Sequence, residues 1–188
     1  MLFSSNIFLF LFLPATLLGY YLLRPSVQLK NYFLLLMSLF FYAWGEPKLV
    51  FLMMITILVG YVLGILTERH CKYKKVYLVF AILFSLGTLG YFKYADFFIG
   101  NINAATGLSL PMLRIALPIG ISFYLFQILS YEIDVYNGTV TAQKSIVRFG
   151  TYVSLFPQLI AGPIVRYSDI ERELHSRTHN TEKIYYGT

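Results

Sequence analysis

The sequence predicts an all-α polytopic integral membrane protein with about five to six transmembrane helices. The 188 residues are 57% hydrophobic and only 13% charged, whereas soluble chains carry about 25% charged residues. Six windows contain neither a charged side chain nor a histidine, namely 1–23, 31–45, 49–67, 76–92, 115–131 and 149–165. A helix needs roughly 17–25 apolar residues to cross a bilayer. The composition thereby excludes an ordinary soluble enzyme, a disordered chain and a disulfide scaffold.

The first four windows are typical of plain spanning helices. Window 1–23 predicts a retained span and not a cleaved signal peptide, because Arg24 follows the apolar run and no basic residue precedes it. Window 31–45 is short unless Lys30 extends to the interface or the helix enters only partway. In the third window, Gly60 and Gly64 form a G-x-x-x-G pattern, for which we expect ordinary close helix packing.

Residues 93–114 differ from the windows around them. Lys93 and Asp96 lie among aromatic residues, and Asn101, Asn103 and Gly107 follow before Pro111. This pattern predicts an interfacial segment with aromatic anchors, followed by a turn-rich loop.

Prolines and glycines interrupt the last two windows. Pro118 and Gly120 lie in the fifth window, and Pro157, Gly162 and Pro163 lie in the sixth. Such residues cannot all belong to straight helices, so we predict broken or re-entrant segments at both places. Non-helical backbone at membrane depth persists only where it is buried in protein or lines a wet cavity.

Two carboxylates, Glu132 and Asp134, follow the fifth window. On a helix they would point about 200° apart, so at most one of them faces inward. A structural role, such as capping or pairing with a loop arginine, is favoured over acid–base catalysis. Asn137-Gly138-Thr139 is a formal glycosylation sequon, but its position favours an Asn-Gly turn.

The polar tail, residues 166–188, carries Glu171, His175 and His179 at helical i, i+4 spacing. That stripe could hold a metal, but neighbouring charged residues favour a solvated amphipathic tail, and we predict no metal site. The sequence contains no Ser-His-Asp arrangement, phosphate-binding glycine loop or dinucleotide fingerprint.

The formal net charge of +6 is explained by topology better than by nucleic-acid binding, because the basic residues cluster at the ends of the windows. Segments 24–30 and 68–75 are basic, so the positive-inside rule predicts that both are cytoplasmic and that the N-terminus lies outside. The basic tail weakens this topology: either window 149–165 does not cross the membrane simply, which we favour, or the tail is an exception to the rule. The one cysteine, Cys71, is expected in a cytoplasmic loop as a free thiol.

Several motifs together resemble the membrane-bound O-acyltransferase family, and within it the alginate O-acetylase-like branch. They are Phe3 to Asn6, Phe41 to Trp44, Gly90 to Ala95, Leu117 to Tyr124, Ser130 to Gly138 and Phe156 to Arg166. The resemblance runs along nearly the whole chain. It implies a ring of membrane helices around a tunnel and a position in the bacterial inner membrane.

The resemblance also implies a function. Acetyl-coenzyme A or a loaded acyl carrier would donate an acyl group from the cytoplasm, with no bound cofactor. The group would pass to periplasmic partner proteins and, through them, to an exported polysaccharide such as alginate. The family's catalytic histidine is expected downstream of this chain, so no residue here is assigned a catalytic role. We therefore expect residues 1–188 to be the N-terminal part of one membrane-embedded domain, and to be inactive alone.

Four polar residues near the predicted breaks are candidates to line or brace the tunnel: Gln127, Asp134, Gln158 and Arg166. A transporter or channel is the alternative interpretation, since transporters use discontinuous helices at their substrate sites. Transporters usually also carry ionisable groups at mid-membrane, and the centres of these windows have none.

Overall fold

The fold is all-helical in the part of the chain that the computed structural model describes, residues 5–23, 26–70, 72–160 and 165–177, which contain no β-strand. A π-helical turn, Phe8–Phe12, leads into the first helix, and a second π-helical turn, Gly90–Tyr94, joins the fourth helix to the fifth. The helices are α1 Leu13–Leu22, α2 Val27–Gly45, α3 Val50–Arg69, α4 Lys74–Leu89, α5 Ala95–Thr106, α6 Ile121–Asn137, α7 Ile146–Ser154, α8 Phe156–Ile160 and α9 Tyr167–His175. The all-α prediction is confirmed for these residues.

Two of the described helices are long and apolar enough to cross a membrane. One is α3, with 20 residues and a mean hydropathy of 2.5, and the other is the continuous helix Lys74–Thr106, with 33 residues and a mean hydropathy of 1.6. The apolar helix Phe8–Leu22 is shorter. Of the six predicted windows, 49–67 therefore matches its helix within two residues at either end.

The helix at the second window, 31–45, is longer than the sequence predicted. Helix α2 has 19 residues because it begins at Val27, where the Ser26 side chain accepts a hydrogen bond from the Leu29 amide. Lys30 lies inside this helix and is buried, with its Nζ 4.5 Å from the centre of the Tyr20 ring. A buried protein contact therefore accommodates this charge within the helix.

The loop predicted within 93–114 is partly wrong. The helix that begins at Lys74 continues to Thr106 through the π-helical turn Gly90–Tyr94 and ends at Gly107, whose φ is +72°. Only residues 107–120 are without regular helix. Asn101 and Asn103, which predicted a turn, are instead helical. Asn103 forms hydrogen bonds with Leu110 in the loop that follows.

The predicted helix breaks are confirmed where the structure describes them, although the window bounds are wrong. Residues 115–120 are non-helical and α6 starts only after Gly120, whose φ is +74°, and then runs to Asn137. The Asn-Gly turn is confirmed by Gly138, with a φ of +76°. Window 149–165 holds the short helices α7 and α8, separated at Leu155. Gly162 and Pro163 lie outside the described residues.

Helix α6 is the centre of the bundle, packing against α3 on one side and α4 on another, while α7 packs against α2 and α3. The G-x-x-x-G pattern of α3 provides the close approach: a Cβ on Gly60 would lie 2.6 Å from Ile128, and one on Gly64 would lie 2.7 Å from the Tyr131 ring. The prediction of close helix packing is confirmed. The core includes four completely buried tyrosines, Tyr124, Tyr131, Tyr152 and Tyr167.

Replacing Gly64 with alanine should lower the free energy of unfolding by about 1–3 kcal/mol, because the buried Tyr131 ring cannot move away from a new methyl group. Chemical unfolding in detergent, followed by far-UV circular dichroism, measures the change. Gly87→Ala is the matched control, since nothing lies within 4 Å of a Cβ on Gly87 in α4. Equal stabilities of the two variants would contradict this account of the α3–α6 contact.

Candidate functional site

The two predicted helix breaks lie against each other in the fold. A Cβ on Gly120, which precedes α6, would lie 2.5 Å from the carbonyl oxygen of Leu159 in α8. The left-handed φ of Gly120 turns the chain from the 107–120 loop into α6. A glycine is therefore required here both for its backbone conformation and for the close approach of α8.

The same junction brings two of the predicted site residues together. Nε2 of Gln127 in α6 donates a long hydrogen bond, 3.4 Å, to Oε1 of Gln158 in α8. Gln127 is buried and Gln158 is half-buried. Tyr152 lies beside them, with its hydroxyl 3.3 Å from the Gln127 carbonyl oxygen and 3.1 Å from that of Val165. We call Gln127, Gln158 and Tyr152 the amide pair site.

Asp134 and Arg166 do not form hydrogen bonds with this pair. Asp134 is half-buried near the end of α6, and one of its carboxylate oxygens is buried without a hydrogen-bond partner among the described residues. Arg166 is exposed and immediately precedes α9. Its neighbour Val165 touches the amide pair site through the Tyr152 hydroxyl.

Glu132 differs from the role that the sequence predicted. It is completely buried and faces the backbone of Gly64 on α3, but neither carboxylate oxygen makes a hydrogen bond to the described residues. It therefore neither caps a helix nor pairs with an arginine in this part of the chain. The expectation that at most one of the two carboxylates faces inward fits the complete burial of Glu132 and the partial exposure of Asp134.

A polar cavity of about 550 Å³, separate from the amide pair site, lies where α2 begins and α3 ends. The segment 141–148 and helix α9 form its other walls. Its charged and titratable wall residues are Tyr32, Glu68, Lys144, Arg148, Tyr167, Glu171 and His175. It therefore lies at the end of the bundle that carries the basic α3–α4 turn. The sequence did not predict this cavity.

Gln143 organises the wall of the polar cavity. Its Nε2 donates to the Tyr167 hydroxyl at 2.7 Å, and its Oε1 accepts from the Ser145 amide at 3.0 Å. Its backbone amide donates to the Tyr131 hydroxyl at 2.9 Å. Burial raises the pKa of Tyr167 to about 12, against a smaller opposing effect of the Gln143 hydrogen bond, so this phenol stays neutral at physiological pH.

Helix α9 is attached to α2 by a second polar contact. Asn31 is almost completely buried, and its Nδ2 donates to the Leu174 carbonyl oxygen at 3.0 Å. Nη2 of Arg177 donates to Oδ1 of Asn31 at 2.6 Å. The backbone carbonyl of Asn31 accepts from the Thr151 hydroxyl of α7 at 3.0 Å. One asparagine thus joins three helices.

The predicted tail is helical and partly docked, which differs from a freely solvated segment. His175 is exposed, but its Nδ1 lies 3.0 Å from Nη1 of Arg148 and so serves as an acceptor for that guanidinium. His179 lies outside the described residues. Among the residues that the structure describes, no group of three potential metal ligands occurs.

The amide pair site and the polar cavity differ in the chemistry that their side chains can support. The amide pair site offers neutral hydrogen-bonding groups beside an apolar cavity of about 340 Å³, whose walls include Gln158 and Tyr152. Such groups can orient a polar molecule but cannot supply a nucleophile or a strong base. The polar cavity adds charged side chains of both signs. In the sequence, Glu171 and His175 share a periodic spacing, and tertiary contacts bring them together with the other wall residues.

Comparisons with known proteins find relatives by sequence. A protein named probable alginate O-acetylase from Pseudomonas syringae pv. tomato is 39% identical over 194 aligned residues, which cover 100% of this chain and 37% of the relative. A protein of the same name from Azotobacter vinelandii is also 39% identical, with 38% of its length covered. A peptidoglycan O-acetyltransferase from Helicobacter pylori is 31% identical over 90% of this chain and 38% of its own length. No family model and no solved structure matches the chain.

By sequence, the chain is homologous to proteins named as bacterial O-acetylases and O-acetyltransferases. The relatives named probable alginate O-acetylase are similar to the chain along its whole length, which confirms the resemblance of its motifs. The chain spans somewhat more than a third of the length of the curated relatives it matches.

Replacing Gly120 with alanine should destabilise the protein more than the same change at Gly107. Both glycines have positive φ, so both substitutions carry a backbone cost of about 1–3 kcal/mol. Only Gly120 has a backbone oxygen against its Cβ position, whereas nothing lies within 4 Å at Gly107. The difference in unfolding free energy, expected at a further 1–3 kcal/mol or so, measures the contact between the two breaks. Equal losses would show that the contact contributes nothing.

Replacing Gln143 with leucine should release α9 from the bundle. The variant leaves the buried Tyr167 hydroxyl and Ser145 amide without their partner, at a cost of about 1–3 kcal/mol. Limited trypsin digestion after Arg172 should become faster. Gln28→Leu, an exposed position on the same cavity wall, should digest at the wild-type rate. Unchanged cleavage of the Gln143 variant would contradict this role.

Proposed function

We propose that this chain forms part of a multi-pass membrane O-acetyltransferase of the membrane-bound O-acyltransferase family. The enzyme transfers acetyl groups from a cytoplasmic donor toward an exported polysaccharide such as alginate. The observation that carries the proposal is the 39% identity over the whole chain to a probable alginate O-acetylase. The donor is acetyl-coenzyme A or a loaded acyl carrier, and periplasmic proteins complete the transfer.

The distribution of charge supports a bacterial inner-membrane orientation with the N-terminus outside. Arg69, Lys72, Lys74 and Lys75 flank the α3–α4 turn, and basic connections stay on the cytoplasmic side. Glu68 at the end of α3 lines the polar cavity. The cavity therefore opens on the side from which the donor would arrive.

The contact of the two helix breaks supports a path for the acyl group between α6 and α8. Gln127 and Gln158 lie at this junction, and a neutral amide pair can orient a polar thioester or ester without trapping a charge. In this proposal Asp134 braces the end of α6, and Arg166 braces the start of α9.

Exchanging segments tests the function without requiring activity of the isolated chain. This chain would replace the aligned segment of the Pseudomonas syringae protein in a strain that lacks its own copy. We expect secreted alginate to retain acetylation, measured by infrared or NMR spectroscopy of the polymer. The Gly107→Ala chimaera should retain it as well, whereas Gly120→Ala should reduce it because the junction is displaced.

Chimaera abundance in the membrane fraction serves as the control for expression. A wild-type chimaera that is inserted at normal abundance but yields polymer without acetyl groups would overturn the proposal. Acetylation that survives Gly120→Ala at full level would remove the junction from the proposed path while leaving the function intact.

A further inference from the structure

Helix α5 projects from the bundle and carries an exposed apolar face. Among the described helical elements, α5 contacts only the π-helical turn Gly90–Tyr94 that leads into it. Phe97 and Phe98 are 62% and 59% exposed, and Leu113 in the following loop is 50% exposed. Soluble proteins rarely leave such a contiguous apolar patch in water.

The loop after α5 folds back onto the helix and forms one unit with it. The Leu113 amide donates to Oδ1 of Asp96 at 2.7 Å. Asn103 makes two hydrogen bonds to the backbone of Leu110, both of 2.9 Å. Residues 95–117, which we call the α5 unit, thus satisfy several loop backbone groups internally. That arrangement suits a region with little water.

The length of the helix determines where this unit lies if α4 crosses a membrane. Lys74–Thr106 has 33 residues and is therefore roughly 50 Å long, against a hydrocarbon core of about 30 Å. A tilt of roughly 53° would be needed to contain it, beyond the usual range of about 0–40°. Lys93 follows Lys74 by 19 residues, a rise of roughly 28 Å. The hydrocarbon core therefore ends near Lys93, and the α5 unit begins just beyond it.

The charges at the edge of the unit complement lipid headgroups. Lys93 and Arg114 are exposed, whereas the Asp96 carboxylate is engaged by the Leu113 amide. The exposed ionic groups at this edge are therefore cationic, and they flank aromatic and aliphatic side chains. This combination is typical of segments that lie in the membrane interface and bind anionic lipid.

We propose that the α5 unit lies in the membrane interface of the leaflet opposite the basic α3–α4 turn. Its apolar face, including Phe97 and Phe98, enters the boundary between headgroups and acyl chains, and Lys93 and Arg114 contact anionic headgroups. The inference rests on the membrane location proposed above. It goes beyond that location by assigning the lipid-facing surface and its depth.

Depth-dependent fluorescence quenching tests this placement in the full chain reconstituted in phosphatidylcholine–phosphatidylglycerol vesicles. Trp44 is the one tryptophan, so Trp44→Phe provides a background for single probes. In that background, Phe97→Trp reports on the α5 unit, and Leu83→Trp reports on the middle of α4. Thr139→Trp, in the exposed turn after α6, reports on the aqueous side. Lipids brominated near the headgroup or deep in the acyl chain act as quenchers.

We expect Phe97→Trp to lose most of its fluorescence to the shallow quencher and less to the deep one. Leu83→Trp should show the reverse order, and Thr139→Trp should respond to neither. If Leu83→Trp is quenched while Phe97→Trp is not, another protein surface covers the α5 unit and the inference is overturned. Deep quenching of Phe97→Trp would also overturn it, because the helix would then lie within the hydrocarbon core.

Failure of either the Phe97→Trp variant or the Leu83→Trp variant also has a defined consequence. If Phe97→Trp does not fold, Leu113→Trp probes the same face from the loop. If Leu83→Trp itself escapes quenching, α4 does not lie in lipid, and the proposed membrane location fails along with the inference. Failure of the α5 unit alone is thereby distinguished from failure of the proposed function.

Discussion

Each interruption of a helix leaves backbone groups that an apolar protein must satisfy internally, and the architecture depends on how this is done. The Phe156 amide, at the start of α8, donates to the Ser38 hydroxyl of α2 at 3.3 Å. The Val165 carbonyl accepts from Tyr152 of α7 at 3.1 Å. The Ala142 amide donates to Glu68 of α3 at 3.0 Å. Because each partner comes from a different helix, the same bonds that satisfy the breaks also hold the helices together.

This requirement accounts for two of the buried tyrosines, Tyr131 and Tyr152, whose hydroxyls bind backbone groups. A phenylalanine would fill the same volume, but it would leave the Gln143 amide without the Tyr131 hydroxyl. The rings also pack on one another, with centroids 5.1 Å apart for Tyr131 and Tyr167 and 5.3 Å apart for Tyr152 and Tyr167. A tyrosine cluster therefore combines apolar packing with hydrogen bonding to irregular backbone. Some of the buried aromatic residues thus also serve as internal hydrogen-bond partners for the loops.

The sequence predicted the parts of the structure that local chemistry determines. Pro118 restricts its own backbone and Gly120 tolerates a positive φ, so the break before α6 was predictable without knowledge of any neighbour. The helix at 95–106 was not, because Asn103 favours turns locally but instead binds Leu110 across seven residues. The polar cavity was missed for a related reason. Gln143 and Arg148 follow no periodic pattern, and their roles arise only when α9 docks against them.

The lengths of their hydrogen bonds distinguish Gln143 from the pair formed by Gln127 and Gln158. Gln143 is held by short bonds of 2.7 and 3.0 Å on both ends of its amide, so a ligand could displace it only at the cost of buried, unpaired groups. The bond between Gln127 and Gln158 is 3.4 Å long and correspondingly weak. A polar molecule that enters between α6 and α8 could replace that bond at little cost. The loosely paired amides at the junction are therefore better suited to exchange partners in the proposed transfer, whereas Gln143 is better suited to fix the fold.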